Sequence, residues 1–573
     1  ALIFEITLPF AVVASLAVIG LFAWSWIETN PQLKPHPARV KPGQRVFDLP
    51  APPALVQGDH FIVCFAQAMS GSNRSSVTEI ATALAHSSPA RPGTARQVLH
   101  YYRASSTEAI VGFDVGLIER ARLLEAYRAL CLQAKNSDTV SIFAEAHCSG
   151  TAIELAKVLS VVGLVGPRHI DKAPEAIALA RATHRGSDLA EQFARHYGPS
   201  SGSAASLSFS APQALLHVEC VGLFHPIALS GMGRDVNLAE VATYSFEAAG
   251  LDRTRSGDRE EAWPKGVSKR LWFVGDVGDV CGWRDRLNSA PAVAWMMTKA
   301  MERDIAFSAA PPDLQQRLHD VTVTGAIYQW GIASLTRRVR SWLFTSPRLE
   351  ALAVRYPDPS VADAKALFHP SAALFVTQDD RKLPQALESF SLTLKTWTVS
   401  EALTTLPEVT RLKSAPQAEI ATKNIVICFD DLWTPGRGSH CEAIAAAACE
   451  SEGARQFVIA PNERLGTASS ETILIASLRS LYTPHRQAIR AYAALCENYV
   501  RGDKIFIFAS GLGAYQARRF AAIVSEVGIL PRHYCHRASA FASAYFRDRP
   551  DDVARLMREA WKEGSIGSGS IDF

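Results

Sequence analysis

The chain has no pair of cysteines at C-x-x-C spacing, although it contains 10 cysteines. They are scattered singly, and several lie in apolar runs, such as Cys64 in FIVCF and Cys428 in IVICF. Cysteines arranged in this way do not indicate a disulfide framework or a zinc site. We expect buried free thiols in a reducing compartment.

A strong excess of charge is also missing. The formal net charge is +3, with 20% charged and 48% hydrophobic residues. Nucleic acid is therefore not the expected partner, because binding to its phosphates usually requires a marked basic excess. With 573 residues, the chain is several times longer than a typical domain of about 100 to 150 residues, which predicts two or three globular units.

Charge is absent altogether from residues 6–27, ITLPFAVVASLAVIGLFAWSWI. A helix of this length spans roughly 33 Å, which matches the hydrocarbon core of a bilayer. Trp24 and Trp26 lie near its end, and a Pro-rich tether with several basic residues follows at 31–58. Residues 1–30 are thus expected to be a single-pass membrane anchor. Its C-terminal basic flank predicts that the soluble part lies in the cytoplasm or, for an inner mitochondrial membrane, in the matrix.

An internal repeat organises the rest of the chain. The run that begins at Ala126 matches the run that begins at Ala491, and Asp138 matches Asp503 at the same constant offset. Each copy has the pattern of a strand, a long amphipathic helix, a buried apolar strand, a tight turn and a further helix. This order is typical of a parallel sheet covered by helices.

Both copies resemble a known family at the turn between the buried strand and the following helix, IFAEAHCSGTA and IFASGLGAYQ. The family is the uncharacterised α/β-hydrolase domain that also forms the catalytic part of type VI secretion phospholipase effectors. Its members carry a Gly-Phe-Ser-Arg-Gly-Ala-Tyr elbow, which lifts the nucleophilic serine above the sheet, and they bring Asp and His on later strands. The resemblance covers most of 59–380 and again 422–555.

The resemblance implies an α/β fold class with two α/β-hydrolase-like units in tandem, preceded by one transmembrane helix. The first unit is a degenerate domain at 59–380, and the second is a truncated domain at 422–573. Between them, residues 381–421 are richer in Ser, Thr, Pro and Lys and are interpreted as a linker.

The same resemblance implies that the catalytic groups have been lost. In the first unit, Ala146 takes the position of the serine, His225 that of the Asp and Val277 that of the His. In the second unit, Gly511 takes the serine position. Because acyl transfer needs a nucleophile and a base, the protein is predicted to be a pseudoenzyme without a catalytic residue.

Three neighbouring residues could still act as a displaced nucleophile: Cys148, Ser149 and Ser510. A shift of two or three residues along the helix would turn Cys148 and Ser149 away from the elbow position. A core cysteine and a helix-capping serine are therefore expected there, and Ser510 is expected to cap the helix that follows it.

Cofactor and metal sites are weakly indicated, and none is predicted. The run GLGAYQ begins like a dinucleotide motif, but Gln516 replaces its third glycine. Asp276 and Asp279 could hold calcium, although a solvated exposed turn is the more common use of such residues. Zinc would need a fourth ligand beside His533, Cys535 and His536.

The first residues resemble a second family. FEITLP at 4–9, followed by a small-residue apolar run and Asn30, is similar to the MWFE family, a single-helix accessory subunit of mitochondrial respiratory complex I. This implies an inactive accessory subunit of a mitochondrial inner-membrane complex, with the other subunits and the bilayer as partners. The alternative is an active membrane-bound serine or cysteine ester or lipid hydrolase with a displaced nucleophile.

Overall fold

A computed structural model describes residues 58–67, 75–84, 96–103, 115–135, 137–184, 186–199, 216–227, 232–250, 264–273, 277–283, 286–307, 313–314, 316–318, 368–369, 423–430, 440–450, 456–459, 485–500, 502–511 and 513–547. The predicted membrane helix at 6–27 and the predicted linker at 381–421 lie outside these ranges. Among the helices within these ranges, none is long and apolar enough to cross a membrane.

The described strands form two sheets in which all neighbouring strands run parallel. The first sheet has the order β2-β1-β3-β4-β5-β6, and the second has the order β8-β7-β9. The strands are β1 His60–Ala66, β2 Gln97–Arg103, β3 Thr139–Glu145, β4 His217–Phe224, β5 Tyr244–Gly250, β6 Lys269–Phe273, β7 Asn424–Phe429, β8 Gln456–Ile459 and β9 Lys504–Ala509.

Helices connect these strands and cover the sheets. In the first unit they are α1 Ser76–Ala83, α2 Val115–Gln133, α3 Ser149–Val161, α4 Ala173–Ala182, α5 Asp188–Tyr197, α6 Leu238–Val241, α7 Val277–Val280 and α8 Arg286–Met301. In the second they are α9 His440–Glu450, α10 Arg486–Asn498, α11 Gly513–Val527 and α12 Cys535–Phe546. The predicted α/β fold with parallel sheets and covering helices is confirmed.

Strand β1 shows why its sequence forms a central strand. All seven residues of HFIVCFA are buried. Phe61 and Val63 belong to the hydrophobic core on one side of the sheet, whereas Ile62 and Cys64 belong to the core on the other side. A continuous apolar run is typical of a parallel strand that is covered on both faces.

The prediction of a buried strand before each elbow is correct for one copy only. Strand β3 is buried, because β1 and β4 pair with its two edges. Strand β9 lies at the edge of the described second sheet, and Phe506, Ile507 and Phe508 are 37 to 42% exposed. An apolar run therefore identified the strand but not its burial.

Buried hydrogen bonds recur at matching positions of the two sheets. The Asp138 carboxylate accepts from the main-chain N–H groups of Lys135 and Asp59 at 2.7 and 2.8 Å. The Asp503 carboxylate accepts from those of Val500 and Lys423, both at 2.9 Å. Each aspartate thus ties the start of its own strand to the first strand of the same sheet.

The two sheets share a hydrophobic core, and helices make the contacts between them. One hydrophobic core contains Phe61 of the first sheet together with Ile425 and Tyr492 of the second unit. At the outer edge of β2, the Arg103 guanidinium donates to His536 O at 2.8 Å. The helices of the second unit therefore cover an edge of the first sheet.

All ten cysteines are free. Nine are buried and Cys449 is half-buried, so the prediction of unpaired thiols is confirmed.

Candidate functional site

The turn after β3, where the resemblance predicts an elbow, has a left-handed backbone at an alanine. Ala146 follows β3 directly and has φ +42°, a left-handed value that is uncommon for a residue with a Cβ atom. A short 3₁₀ turn, Ala146–Cys148, then leads into α3. Ala146 is fully buried. The turn therefore presents a methyl group at the position where a nucleophile elbow exposes a hydroxyl.

The segment after β4 closes over this position. The Ile227 N–H donates to the Ala146 carbonyl at 3.1 Å. His225, in the predicted place of the triad carboxylate, has φ +42°, and its Nδ1 accepts a hydrogen bond from the Gly250 N–H at 2.9 Å. The imidazole thus joins the ends of β4 and β5, which is a structural contact.

Val277, in the predicted place of the triad histidine, begins the short helix α7. Asp279 in the same helix is fully buried. The expectation of a solvated exposed turn is therefore wrong for Asp279, because the helix packs its polar residue against the sheet end. Asp276 lies outside the described residues.

The two displaced candidates beside the first elbow are both buried. Cys148 is 4% exposed and belongs to the hydrophobic core, as expected of a core cysteine. Ser149 is fully buried, and within the described part of the chain its hydroxyl has no hydrogen-bond partner. The expectation of a capping serine is wrong for Ser149, since it occupies the first position inside α3 and Cys148 precedes the helix.

The elbow of the second sheet is built from glycines. Gly511 has φ +52°, which glycine adopts without strain. A Cβ atom on Gly513 would lie 2.5 Å from the carbonyl oxygen of Phe429. Gly513 therefore allows α11 to begin against the end of β7. Cys148 holds the matching position in the first unit, where a 3₁₀ turn separates the strand from α3.

Ser510 makes a contact that the sequence did not indicate. Its Oγ donates to Asp430 Oδ1 at 2.7 Å, which joins the ends of β9 and β7. Gly511 is exposed and Ser510 is half-buried, whereas Ala146 in the first elbow is fully buried. The Asp430 carboxylate could accept the proton of this hydroxyl, but a carboxylate is a weaker base than the imidazole of a Ser-His-Asp triad.

Metal ligation finds no support in the described residues. They contain no group of three or more His, Cys, Asp and Glu side chains arranged to hold a metal ion. Cys535 and His536 are 3% and 1% exposed. Burial raises the pKa of the Cys535 thiol, which disfavours the thiolate that zinc requires.

Glu145, the last residue of β3, is the polar group of this edge that the sequence analysis missed. It is fully buried directly before Ala146. Burial raises its pKa to about 7, although hydrogen bonds from Gln67, Ser75, Trp283 and Val77 lower it. In the sequence, the sign of this buried carboxyl group is the glutamate that ends the apolar run SIFAE. A carboxyl group of this kind can exchange a proton near neutral pH, but Ala146 offers no hydroxyl to activate.

Two comparisons with known proteins give a match. Among solved structures, the Tle1 effector bound to the VgrG spike from the Type 6 secretion system is similar, with 14% sequence identity and a TM-score of 0.21. The match covers 40% of this chain and 52% of that chain, so the chain spans about half the length of that effector. No curated protein matches the chain. Residues 423–565 match the family model of the catalytic domain of Tle1-like phospholipase effectors of the T6SS, so this part of the chain is similar to that family.

Proposed function

We propose that this protein is a lipase-like α/β-hydrolase fold that has lost acyl transfer, a pseudoenzyme related to the catalytic domain of Tle1-like phospholipase effectors. The observation that carries the proposal is the first elbow. Ala146 keeps the left-handed φ of +42°, which a strained turn requires, but it has no hydroxyl. A strained backbone retained without its nucleophile is consistent with descent from an active enzyme.

Burial supports the proposal independently of residue identity. A reacting carbonyl must approach a nucleophile to within about 3 to 3.5 Å. Ala146 is fully buried, and the N–H of Ile227 is bonded to its carbonyl. A substrate would have to displace this segment to reach the elbow. A hydroxyl placed at residue 146 would therefore still be inaccessible.

The proposal includes the tandem arrangement of two hydrolase-like units. The order β8-β7-β9 matches the order β2-β1-β3. In both units a tyrosine hydroxyl bonds a glycine carbonyl, Tyr127 to Gly163 at 2.7 Å and Tyr492 to Gly528 at 3.0 Å. These pairs have the same spacing in sequence, as expected if the second unit is a copy of the first.

Turnover tests the proposal. The purified chain is assayed with p-nitrophenyl esters and with phospholipid vesicles, beside the Ser510→Ala and Cys148→Ala variants. We expect the wild type to release product at the rate of buffer alone, and the variants to be indistinguishable from it. Sustained turnover that either variant removes would refute the loss of acyl transfer.

A second candidate function is ester or lipid hydrolysis through Ser510. It is favoured by the 2.7 Å hydrogen bond between Ser510 and Asp430 and by the match of residues 423–565 to a phospholipase catalytic domain. Ser525, exposed on α11, provides a matched control. This candidate expects turnover in the wild type and in Ser525→Ala, and its loss in Ser510→Ala and Asp430→Asn. Equal rates in all four proteins would exclude it.

Membrane attachment through residues 6–27, within an assembly of other subunits, stays part of the proposal. The MWFE resemblance gains no support from the comparisons, so complex I remains a prediction made from residues 4–30. Alkaline carbonate extraction of membranes tests the anchor. The full chain should stay in the membrane pellet and a chain without residues 1–30 should be released, whereas release of both would rule out the anchor.

A further inference from the structure

The Glu145 carboxyl is held by donors from three separate segments of the chain. The Gln67 N–H, directly after β1, donates to Oε1 at 2.6 Å. The Val77 N–H, in the first turn of α1, donates to Oε2 at 3.4 Å. The Trp283 indole N–H donates to Oε1 at 3.3 Å. Ser75, which precedes α1, adds a side-chain hydrogen bond. We call this set of donors the cradle.

The cradle is fixed by contacts that do not involve Glu145. Ser76 in α1 donates its N–H to Cys281 O at 3.0 Å and its hydroxyl to Val280 O at 2.7 Å. These bonds tie the start of α1 to the loop that carries Trp283. Gly282 in this loop has φ +73° and lies close against Ser76. The donors from Val77 and Trp283 therefore have a defined arrangement that does not depend on the carboxyl.

One donor of the cradle lies where an α/β-hydrolase places part of its oxyanion site. In an α/β-hydrolase elbow, the negative oxygen is stabilised by N–H groups beside the nucleophile, one of them from the loop after a neighbouring strand. Gln67 begins such a loop, because β1 is the parallel neighbour of β3. Its N–H is bonded to the residue next to the elbow, so it is not available to an external ligand.

We propose that the cradle is a binding site for a small carboxylate or oxyanion, and that Glu145 fills it from within the chain. Removal of the side chain would leave a cavity lined by the N–H groups of Gln67, Val77 and Trp283, with the hydrogen-bond donors and the size for formate or acetate. This inference does not depend on the loss of hydrolysis, since it concerns binding and needs no nucleophile.

Chemical rescue tests the site in the full chain. Glu145→Ala should unfold at a lower temperature than the wild type, and acetate or formate should raise its midpoint by about 2 to 4 °C with saturation. Acetamide, which has the shape of acetate but an NH₂ group in place of one acceptor oxygen, should have no such effect. Glu145→Gln fills the same volume, so its midpoint should not respond to acetate beyond the response of the wild type.

The proposal would be overturned if acetate raised the unfolding midpoint of Glu145→Ala no more than that of Glu145→Gln. If Glu145→Ala does not accumulate as folded protein, it can be refolded from urea in acetate and, separately, in acetamide. The comparison of the two refolding yields then tests the same proposal. A higher yield with acetate alone supports the site, and equal yields overturn it. Because neither readout measures turnover, failure of this inference is distinguishable from failure of the proposed pseudoenzyme.

Discussion

The side-chain amide of Asn498 makes two main-chain hydrogen bonds to Leu99 that a neighbouring strand would otherwise make. Its Oδ1 accepts from the Leu99 N–H at 3.1 Å, and its Nδ2 donates to the Leu99 carbonyl at 2.8 Å. Leu99 lies in β2, the edge strand of the first sheet, and Asn498 is the last residue of α10 in the second unit. An exposed strand edge favours aggregation, so the second unit protects the first.

Asn498→Ala should destabilise the whole protein. The variant leaves the buried N–H and C=O of Leu99 without partners, and each unsatisfied group costs about 1 to 3 kcal/mol. We expect a loss of about 2 to 4 kcal/mol in the free energy of unfolding, measured by urea titration, together with dimers or larger species in size-exclusion chromatography.

Asn237→Ala is the matched control for this substitution. Asn237 also accepts from a main-chain N–H, that of Ala239 at 3.2 Å, but it does so at the exposed start of α6. Its loss should cost about 1 kcal/mol or less. Equal effects of the two substitutions would show that the contact between Asn498 and Leu99 has no special role in stability.

Glu145 should make stability depend on pH near neutrality. Burial raises its pKa from 4.5 to about 7, so between these values the folded state binds more protons than the unfolded state. Stability therefore falls as pH rises through this range. Between acidic and slightly alkaline pH, the free energy of unfolding of the wild type should fall by on the order of 3 kcal/mol relative to that of Glu145→Gln. Parallel pH profiles in urea unfolding would contradict this account.

The matching aspartates Asp138 and Asp503 should both be needed for stability, but not equally. Each accepts two main-chain N–H bonds, and Asp503 also pairs with the buried ammonium group of Lys423. Asp138→Ala should cost about 2 to 3 kcal/mol. Asp503→Ala should cost about 3 to 5 kcal/mol, because it also leaves a buried cation unpaired.

Thermal unfolding of the two variants measures this difference. Desolvation lowers the pKa of Lys423 and the nearby Asp503 raises it, so part of the loss in Asp503→Ala should disappear at alkaline pH, where Lys423 becomes neutral. If the two variants lost the same stability at all pH values, the ion pair between Asp503 and Lys423 would add nothing to the stability that the hydrogen bonds provide.

The sequence predicted β1 and β3 and did not predict β2 and β5. HFIVCFA and TVSIFAE are nearly continuous apolar runs, and they form β1 and β3. Strand β2, QVLHYYR, carries polar residues whose partners are distant in the chain, such as Ala306 for Gln97 and His536 for Arg103, and β5, YSFEAAG, contains a buried glutamate. Local pattern does not reveal such partners, because they are distant in the chain.

The candidate site was predictable in position but not in its surroundings. The repeat located Ala146 and Gly511 at strand ends, where the structure has left-handed turns. Closure of the first elbow by Ile227 and the donors around Glu145 depend on residues about 70 to 140 positions apart in the chain. These contacts follow from the tertiary fold, which spacing along the sequence does not specify.

Covalent labelling with a fluorophosphonate probe tests the absence of a working nucleophile most directly. The native full-length chain should be labelled no more than the heat-unfolded chain, and Ala146→Ser should behave in the same way because residue 146 is covered by the segment that contains Ile227. Stoichiometric labelling of the native wild type that Ser510→Ala abolishes would contradict the account.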